Sequence, residues 1–532
     1  MVGAGVQSSS ERVARDFGRA WTGGAYAAMH RLLRERARAR FDRRELRAAY
    51  DNALAVSTAT RISVGEPQGK RDGKVLLPVV VPTRVFGAVR GEVMLPVRGG
   101  EAVDWQPNLV FPGLAEGESL TRRTEPPRRG RILSADGKTL AEGPAGARSS
   151  PLADLGASVA GTVARPESAG ERRALFARGF AGDTPIGRTG LERILERRLA
   201  GRPGGVLLAG RRVLASSEPR PTAAVKSTID TRIQAAAVEA LGDRLGGVAA
   251  LDPATGAVRA LAGIAFSAPQ PPGSTFKIVT TTAALEAEAV SLSDRFPVES
   301  SAVIDGVELE NANGELCGGT FEDAFAHSCN SVFGPLGGKV GSKRLVAAAE
   351  RYGWNKPPTL PGEKPSTLPQ SGGIVSPVEI GATAIGQFKT LATPLVMASV
   401  AQTVANGGVR LPPTVTPGRR PRGVRVTSRA VSDALERLML AVVARGTGTA
   451  AASPGVRVAG KTGTAELEDT RGNDTEAEAR SGDPENTDAW CTAYAPAGRP
   501  RIAVAVLLVR SGAGGATAAP AARTVLAAAL GR

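Results

Sequence analysis

The sequence predicts a multidomain α+β protein, and three observations support this. The chain has 532 residues, which is more than a single hydrophobic core needs. Hydrophobic residues make up 42% and charged residues 22%, as in ordinary globular proteins and unlike disordered ones. Segments with helical and with strand periodicity follow one another, and prolines and glycines separate them. We therefore expect three parts, comprising residues 1–118, 119–225 and 226–532.

The first part, residues 1–118, is expected to be a small α+β domain because helical segments precede a meander of strands. It contains no evident catalytic constellation. The basic run from Arg31 to Arg47 is expected to form an exposed helix face, with contact to an anionic surface as the alternative. The predicted helices span 11–40 and 45–54, and the predicted strands span 61–64, 75–82, 85–96 and 102–105.

The second and third parts differ in how regular they are. Pro126 and Pro127 begin a stretch that extends to residue 225. Further prolines in this stretch predict many loops, and one helix is predicted at 190–199. In residues 226–532 helical and strand patterns alternate densely, and helices dominate 274–406. The elements predicted there are helices at 229–241, 278–289 and 521–530 and strands at 247–251, 258–263, 456–464, 489–495 and 502–510.

Composition limits the chemistry that the chain can perform. The two histidines, His30 and His327, exclude most metal centres and any mechanism with several histidines, so we expect no metal and no cofactor. The net charge of +16 is typical of nucleic-acid binding, but aromatic residues are only 4%, and platforms for base stacking are therefore scarce. Arginine supplies most of the positive charge, which indicates GC-rich coding and weakens the charge as an indication of function.

Composition leaves the cellular compartment open. No run approaches the ~20 apolar residues that span a bilayer, so either the protein is cytosolic or an N-terminal anchor is missing from this sequence. Cys317 and Cys329 could close a loop as a disulfide in an oxidising compartment, or they could be two buried thiols.

Ser274 and Lys277 form the first candidate site. Two prolines and a glycine precede Ser274 and a helix follows it, so both side chains lie on one face of the first helical turn. A serine hydroxyl becomes a good nucleophile only when a neighbour takes its proton. A lysine that is desolvated beside another cation can do so, because both effects lower its pKa. Ser-x-x-Lys alone is expected about once by chance in such a chain, and a capping serine with an exposed lysine is the alternative.

The second candidate site is Ser328-Cys329-Asn330. Ser328 could relay a proton between the first lysine and a leaving group, and Asn330 could hydrogen-bond a substrate amide. A serine or asparagine in a turn between helices is the ordinary alternative.

The third candidate site is Lys461-Thr462-Gly463-Thr464, at the end of an alternating segment that predicts an edge strand. Lys461 would supply positive charge, the two threonine hydroxyls would bind a carboxylate, and the Thr464 N–H would form half of an oxyanion hole. From Gly455 onward the same residues match the phosphate-loop pattern G-x-x-x-x-G-K-[ST]. We reject a nucleotide site, because the strand lies inside the variable positions and Gly463 interrupts any following helix.

Ser-x-x-Lys, Ser-x-Asn and Lys-Thr-Gly, in this order, resemble the motif set of penicillin-binding proteins and class A β-lactamases. The flanking Gly446-Thr-Gly-Thr449 and Asp488-Ala-Trp agree with this family. Arg129-Gly-Arg-Ile132 resembles the opening of the linker module of class B penicillin-binding proteins. The stretch that begins Asp104-Trp-Gln-Pro resembles the end of an NTF2-like domain. The whole chain thus resembles a monofunctional class B penicillin-binding protein of actinobacterial type, with no glycosyltransferase domain visible.

This resemblance implies a fold for each part. Residues 1–118 would be an NTF2-like α+β domain, and residues 119–225 a loop-rich linker or pedestal module of the dimerisation type. Residues 226–532 would be a penicillin-binding transpeptidase domain, in which an antiparallel sheet is flanked by helices and accompanied by an all-helical subdomain.

The resemblance also implies a reaction, the cross-linking of peptidoglycan stem peptides through a serine acyl-enzyme. The nucleophile and its lysine would attack the penultimate D-Ala of a donor stem, and the second serine and second lysine would pass a proton to the departing D-Ala. The implied catalytic residues are Ser274, Lys277, Ser328 and Lys461, and the implied substrate-binding residues are Asn330, Thr462, Gly463 and Thr464.

The partners implied are peptidoglycan stem peptides, β-lactam antibiotics as covalent ligands, and other cell-wall or division proteins, with no nucleic acid. We expect a monomer at the extracytoplasmic face of the membrane. Its N-terminal anchor would be missing from this sequence, so that the native protein is longer at its N-terminus.

Three departures from the family pattern stand out. Gly386-Gln-Phe388 replaces the usual Gly-Gln-Gly, the segment before Ser274 is unusually short, and Cys329 occupies the middle of the second motif, which strengthens the hypothesis of a Cys317–Cys329 disulfide. The alternatives are a β-lactamase or D,D-carboxypeptidase, for which no glutamate to activate water is evident, and a non-catalytic receptor for β-lactams or wall fragments.

Overall fold

The computed structural model describes residues 8–418, 420–467 and 484–532. Its N-terminal part consists of α1 Ser9–Thr22, α2 Tyr26–Arg31, α3 Glu35–Arg40 and α4 Arg43–Ser57, followed by β1 Ser63–Val64, β2 Lys70–Arg71, β3 Lys74–Pro82, β4 Ala88–Leu95, β5 Val97–Arg98 and β6 Ala102–Val103. The long β3 pairs with β1, β2 and β4 in an antiparallel sheet. Helices α1 and α4 each begin with a capping box, in which Ser8 pairs with Glu11 and Asp42 with Glu45.

The prediction of one helix over residues 11–40 is wrong. The structure breaks this stretch twice, because α1 ends at Gly23, Gly24 has a φ of 65°, and Leu33 leaves the helix to form a β-bridge with Val103. Helical periodicity continues across both breaks, so the sequence pattern conceals them. The arginines of the basic run are exposed, as the solvated-face interpretation requires.

The middle part is more regular than the sequence predicts. It contains four helices where one was predicted, and the predicted 190–199 helix is divided in two. The prolines lie before or between the helices and not within them, so they separate elements without preventing them. The elements are β7 Leu120–Glu125, β8 Ile132–Leu133, β9 Thr139–Ala141, α5 Ala153–Ala160, β10 Val163–Ala164, α6 Ala169–Ala177, β11 Ile186–Gly187, α7 Gly190–Ile194, α8 Glu196–Leu199, β12 Gly204–Ala209 and β13 Arg212–Ser217.

A buried ion-pair network holds the middle part together. The carboxylate of Glu192, which is fully buried, lies 2.6 Å from the guanidinium groups of both Arg129 and Arg148. Arg129 also pairs with Glu196 at 2.8 Å. Removing either arginine would leave part of a buried charge unpaired, which costs far more than the loss of an exposed pair.

The C-terminal part is built on one antiparallel sheet. Its strands run in the order β16-β15-β25-β24-β23, so that β23 is at the edge. The strands and helices of this part are β14 Val225–Lys226, α9 Thr231–Leu241, β15 Gly246–Leu251, β16 Val258–Gly263, α10 Lys277–Glu286, β17 Arg295–Glu299, β18 Ser301–Ile304, β19 Val307–Glu310, β20 Cys317–Thr320, α11 Phe321–Ala326, α12 Asn330–Val340, α13 Ser342–Tyr352, α14 Pro377–Ala384, α15 Pro394–Ala405, β21 Val409–Arg410, β22 Val424–Arg425, α16 Arg429–Arg445, β23 Ala459–Glu466, β24 Thr487–Ala495, β25 Ile502–Leu508 and α17 Ala518–Leu530.

Successive residues of the central strands enter different cores. Val504 and Val506 of β25 join α9 and α17 in one core, whereas Ala505 and Leu507 join the helices on the other face, among them α10 and α15. Both faces are therefore buried, and the strands consist almost entirely of apolar residues.

Helices dominate residues 274–406, as predicted, but the stretch is not entirely helical. The structure inserts two short antiparallel pairs, β17 with β20 and β18 with β19, before α11. No residue of β17, β18 or β19 is buried, so their hydrophobic pattern is too weak to predict a strand. Within the described ranges, none of the helices is long and apolar enough to cross a bilayer.

Candidate active site

The edge strand β23 passes directly beside the turn that carries Ser274. This turn is a 3-10 turn, Gly273–Phe276, that continues into α10. A Cβ on Gly463 would lie 2.8 Å from the carbonyl oxygen of Pro272, and a Cβ on Gly273 would lie 2.9 Å from that of Thr464. Because both positions are glycine, strand and turn approach to backbone contact, and the half-buried Ser274 lies at their junction.

Lys277 extends from the first residue of α10 into a fully buried position. Its Nζ donates hydrogen bonds to the carbonyl oxygen of Ser328 (2.6 Å), to Ser328 Oγ (3.1 Å) and to Asn330 Oδ1 (2.7 Å). Burial lowers the pKa of Lys277 well below its usual value, and the nearby charge of Lys461 lowers it further. The structure therefore joins the first and second motifs through a buried lysine, which loses its proton more readily than an exposed lysine does.

Lys461 lies on β23 and is also fully buried. Burial lowers its pKa to about 7, although the facing Cys491 acts in the opposite direction. Two aromatic rings contact the two lysines: Lys277 Nζ lies 5.2 Å from the ring centre of Phe333, and Lys461 Nζ lies 5.7 Å from that of Phe325. The sequence motifs contain neither ring, although each ring lies within cation–π distance of one of the two amino groups.

The second motif occupies the turn between α11 and α12. Ser328 has a φ of 63°, a left-handed conformation that residues other than glycine rarely adopt. Asn330 opens α12, and its Nδ2 donates to the carbonyl oxygen of Glu310 at 2.8 Å. Both polar side chains of the motif therefore have fixed partners. No hydrogen bond joins Lys277 to Ser274 among the described residues.

The threonines of the third motif are held from two sides. Thr462 Oγ1 is hydrogen-bonded to Thr447 Oγ1, and Thr464 Oγ1 accepts a bond from the Gly514 N–H at 3.2 Å. The backbone N–H of Thr447 donates to the carbonyl oxygen of Ala326, which precedes the second motif. Thr447 thus connects the second and third motifs. The sequence alone gives no role to this threonine, which lies in Gly446-Thr-Gly-Thr449.

Cys317 and Cys329 form a disulfide, with a Cα–Cα distance of 5.4 Å. It joins the start of β20 to the middle residue of the second motif. Cys491 is a buried free thiol on β24, opposite Thr462, and burial raises its pKa to about 12. The disulfide therefore lies within the site, whereas the free thiol lies behind it.

The loop with the unusual Gly386-Gln-Phe388 sequence supports the Ser274 turn from below. The N–H of Gly273 donates to the carbonyl oxygen of Gly386 at 3.1 Å. Phe388 has a φ of 61°, so the backbone keeps the left-handed conformation that a glycine would adopt without strain. The phenylalanine ring packs against the main core, which offsets that cost.

Comparison with known proteins identifies similar sequences. The family model described as penicillin binding protein transpeptidase domain matches residues 246–527. The peptidoglycan D,D-transpeptidase PbpA of Mycobacterium tuberculosis is 33% identical over 410 residues, which cover 63% of this chain and 77% of that protein. PbpA of Mycolicibacterium smegmatis is 33% identical over 416 residues, which cover 64% and 79%.

Solved structures agree with the sequence comparison. The crystal structure of PBPA from Mycobacterium tuberculosis is 28% identical, covers 76% of this chain and 99% of its own, and aligns with a TM-score of 0.60. The penicillin G acyl-enzyme complex of the same protein aligns with a TM-score of 0.59 at 27% identity, covering 76% of this chain and 100% of its own. PBP2 of Pseudomonas aeruginosa, at 26% identity, covers 76% of this chain and 96% of its own with a TM-score of 0.63.

Proposed function

The chain belongs to the penicillin-binding protein transpeptidase family, and from this premise we propose that its site cross-links peptidoglycan stem peptides and is acylated by β-lactams. The protein is a serine-type D,D-transpeptidase. The observation that carries the assignment of roles is the buried Lys277, three residues after Ser274 and bonded to both polar residues of the second motif.

In the first half-reaction, neutral Lys277 accepts the proton of Ser274 Oγ as that oxygen bonds to the carbonyl carbon of the penultimate D-Ala. The carbonyl oxygen becomes an anion, which the backbone N–H groups of Ser274 and Thr464 stabilise. Gly463 supports this arrangement, since only a glycine allows β23 to lie so close to the turn. The C–N bond then breaks, and the terminal D-Ala must leave as a neutral amine.

Ser328 and Lys461 supply the proton for that departure. Ser328 Oγ is already hydrogen-bonded to Lys277, so a proton taken from the nucleophile has a path toward the leaving nitrogen. Thr462 and Thr464 bind the carboxylate of the departing D-Ala, and Asn330 binds the amide on the acceptor side. An amine of a second stem then attacks the ester and releases Ser274.

The test is covalent labelling by benzylpenicillin followed by intact-mass analysis. We expect one adduct per chain, and none in Ser274→Ala, which lacks the nucleophile. A chain that shows no adduct at any concentration would overturn the proposal. Rapid turnover of a chromogenic β-lactam would instead indicate a β-lactamase or D,D-carboxypeptidase, in which water replaces the acceptor amine.

We further propose that the N-terminal part is an NTF2-like domain. Its order supports this: four helices pack on a sheet in which β3 is central and β4 follows it through a short turn. Trp21, Tyr50 and Trp105 lie in its core, where Trp105 Nε1 donates to the Tyr50 hydroxyl at 3.0 Å. No catalytic group of the three motifs lies in this core, which fits a spacer that positions the transpeptidase domain.

We place the protein on the extracytoplasmic face of the membrane, anchored there, because its substrate is the cell wall. The Cys317–Cys329 disulfide supports an oxidising compartment, since cytosolic reductants keep most thiols reduced. The cysteine pair therefore agrees with the location that the reaction requires.

A further inference from the structure

A short segment, residues 310–317, contacts the turn of the second motif at three successive positions. Glu310 accepts a hydrogen bond from Asn330 through its carbonyl oxygen (2.8 Å), and Cys317 is bonded to Cys329 through sulfur. Between them, Asn311 Oδ1 accepts a hydrogen bond from the backbone N–H of Ser331 at 2.9 Å. The 310–317 segment thus contacts three consecutive residues, from Cys329 to Ser331.

Asn311 is the centre of this arrangement. It is only 4% exposed, and its Nδ2 donates to the carbonyl oxygens of Glu299 (2.8 Å) and Glu315 (2.9 Å). Its amide group therefore joins the end of β17, the 310–317 segment and the start of α12. No part of the three motifs predicts this side chain, because its partners Glu299, Glu315 and Ser331 are twelve, four and twenty residues away and belong to none of the motifs.

The bond to Ser331 replaces a helix cap that the motif cannot provide. Cys329 is the N-cap residue of α12 and makes no side-chain capping bond, because its sulfur is in the disulfide. A capping side chain normally bonds the N–H of the second or third helical residue, and Ser331 is the second residue of α12. Asn311 therefore caps α12 from outside the helix.

The turn needs such support because of its conformation and its neighbour. The left-handed φ of Ser328 persists only where the surrounding structure enforces it. All three acceptors that bind Lys277 Nζ belong to Ser328 and Asn330. A shift of this turn would separate the base from the whole of its hydrogen-bond network.

We propose that Asn311 is a positioning residue for acyl transfer, which holds the Ser328–Asn330 turn against Lys277 through its bond to the Ser331 N–H. The proposal rests on the proposed function, because it concerns the rate at which Ser274 is acylated. It adds to the motif residues a side chain that touches neither substrate nor Ser274.

The experiment compares the second-order rate constant of acylation by benzylpenicillin and the final number of adducts per chain. We expect Asn311→Ala to react about 10- to 100-fold more slowly than the unmodified chain, because small displacements of reacting groups are costly. We expect the final number of adducts to remain one. If the role of Asn311 were purely structural, part of the Asn311→Ala protein would be unfolded. The final number of adducts per chain would then fall, whereas the folded molecules would react at the normal rate.

Two further variants complete the test. Asn311→Asp keeps an oxygen for the Ser331 N–H and should react at an intermediate rate, which also provides a result if Asn311→Ala does not fold. Asn406→Ala is the matched control. Asn406 donates one hydrogen bond to the carbonyl oxygen of Val409 at the end of α15, and the acylation rate of this variant should not change.

Unchanged rates in both Asn311 variants would overturn the inference, and so would equal rates in Asn311→Asp and Asn311→Ala. If benzylpenicillin fails to label even the unmodified chain, the proposed function fails together with the inference. If the unmodified chain is labelled normally and both Asn311 variants react at the same rate as it does, only the inference is refuted.

Discussion

Two lysines with lowered pKa values lie at the centre of the site, and they have different tasks. In the proposed reaction, Lys277 must be neutral to accept the proton of Ser274. Lys461 must be charged to attract the carboxylate of the substrate. Burial is the main cause of both shifts, and the Lys461 charge adds to the shift of Lys277. Each of the two lysines therefore loses its proton more readily than an exposed lysine would.

This pair predicts a pH dependence of acylation. Because the pKa of Lys461 is about 7, this lysine is charged below that pH and loses its charge above it. The rate constant for benzylpenicillin should fall by about tenfold for each pH unit well above 7. Stopped-flow measurements from pH 6 to 9 check this, with Lys461→Arg as the comparison, because arginine stays charged and should remove the decline. A rate that is constant from pH 6 to 9 in the unmodified chain would contradict the assignment.

At the scale of single residues, the sequence predicted the motif residues and not the groups that support them. The structure places Ser274, Lys277, Ser328, Asn330 and Lys461 in one site, as their order along the chain suggested. Their supports were not recognised, since an amide at 311, a threonine at 447 and two phenylalanine rings act through contacts distant in sequence. Such contacts leave no local pattern.

At the scale of elements, the edge strand β23 and the Ser274 turn approach each other to backbone contact. Most strands were predicted to within a few residues, because both the apolar runs and the glycine and proline boundaries are clear for β15, β16, β24 and β25. The breaks in the first helix were missed because helical periodicity continues across them. The strand pairs before α11 were missed because β17, β18 and β19 bury none of their residues. The edge position of β23 was predicted correctly from Gly463.

Substitution of Gly463 tests whether acylation requires β23 to lie so close to the Ser274 turn. In Gly463→Ala the new methyl group would lie 2.8 Å from the carbonyl oxygen of Pro272 and 3.1 Å from the Thr275 nitrogen, both of them backbone atoms that cannot rotate away. The strand must therefore move outward, and benzylpenicillin acylation should slow by about 10- to 100-fold. The same rate measurement on Gly338→Ala is the control.

Gly338 is an exposed residue of α12, and a methyl group there meets no atom within 4 Å. That substitution should leave the acylation rate unchanged and stabilise the helix by about 0.5–1 kcal/mol. If Gly463→Ala reacts as fast as Gly338→Ala, close packing of strand and turn is not required for acylation.

At the scale of the whole molecule, most buried apolar residues of the middle part belong to two large cores, and Leu175, Phe180 and Ala200 form a small third cluster. Ile132, Leu140, Leu191 and Leu199 belong to the same core as the transpeptidase helices. Leu207, on β12, belongs instead to the core of the N-terminal part. The middle part is thus attached to the transpeptidase domain by a continuous core, and its three-stranded sheet packs against the N-terminal part.

This division predicts which distant substitutions affect the active site. Leu191→Ala, about 60 residues before the sheet begins, should cost about 2–5 kcal/mol and lower the temperature at which penicillin labelling is lost. Leu77→Ala removes an equally buried side chain from the N-terminal core. Leu77→Ala should destabilise the N-terminal core, but penicillin labelling should be lost at the same temperature as in the unmodified chain. Labelling after stepwise heating distinguishes the two, and equal losses in both variants would indicate a single cooperative unit.

The buried Cys491 has a consequence for how the active-site strand can be observed. Its sulfur lies behind Thr462, and its raised pKa keeps it protonated and unreactive while β23 and β24 remain paired. Cys317 and Cys329 are joined in a disulfide and therefore do not react with a thiol reagent. A thiol reagent applied to the unreduced protein would therefore react only with molecules in which the core that β24 shares with α9 and α17 has opened, so the labelling rate of this one thiol measures how often that core opens.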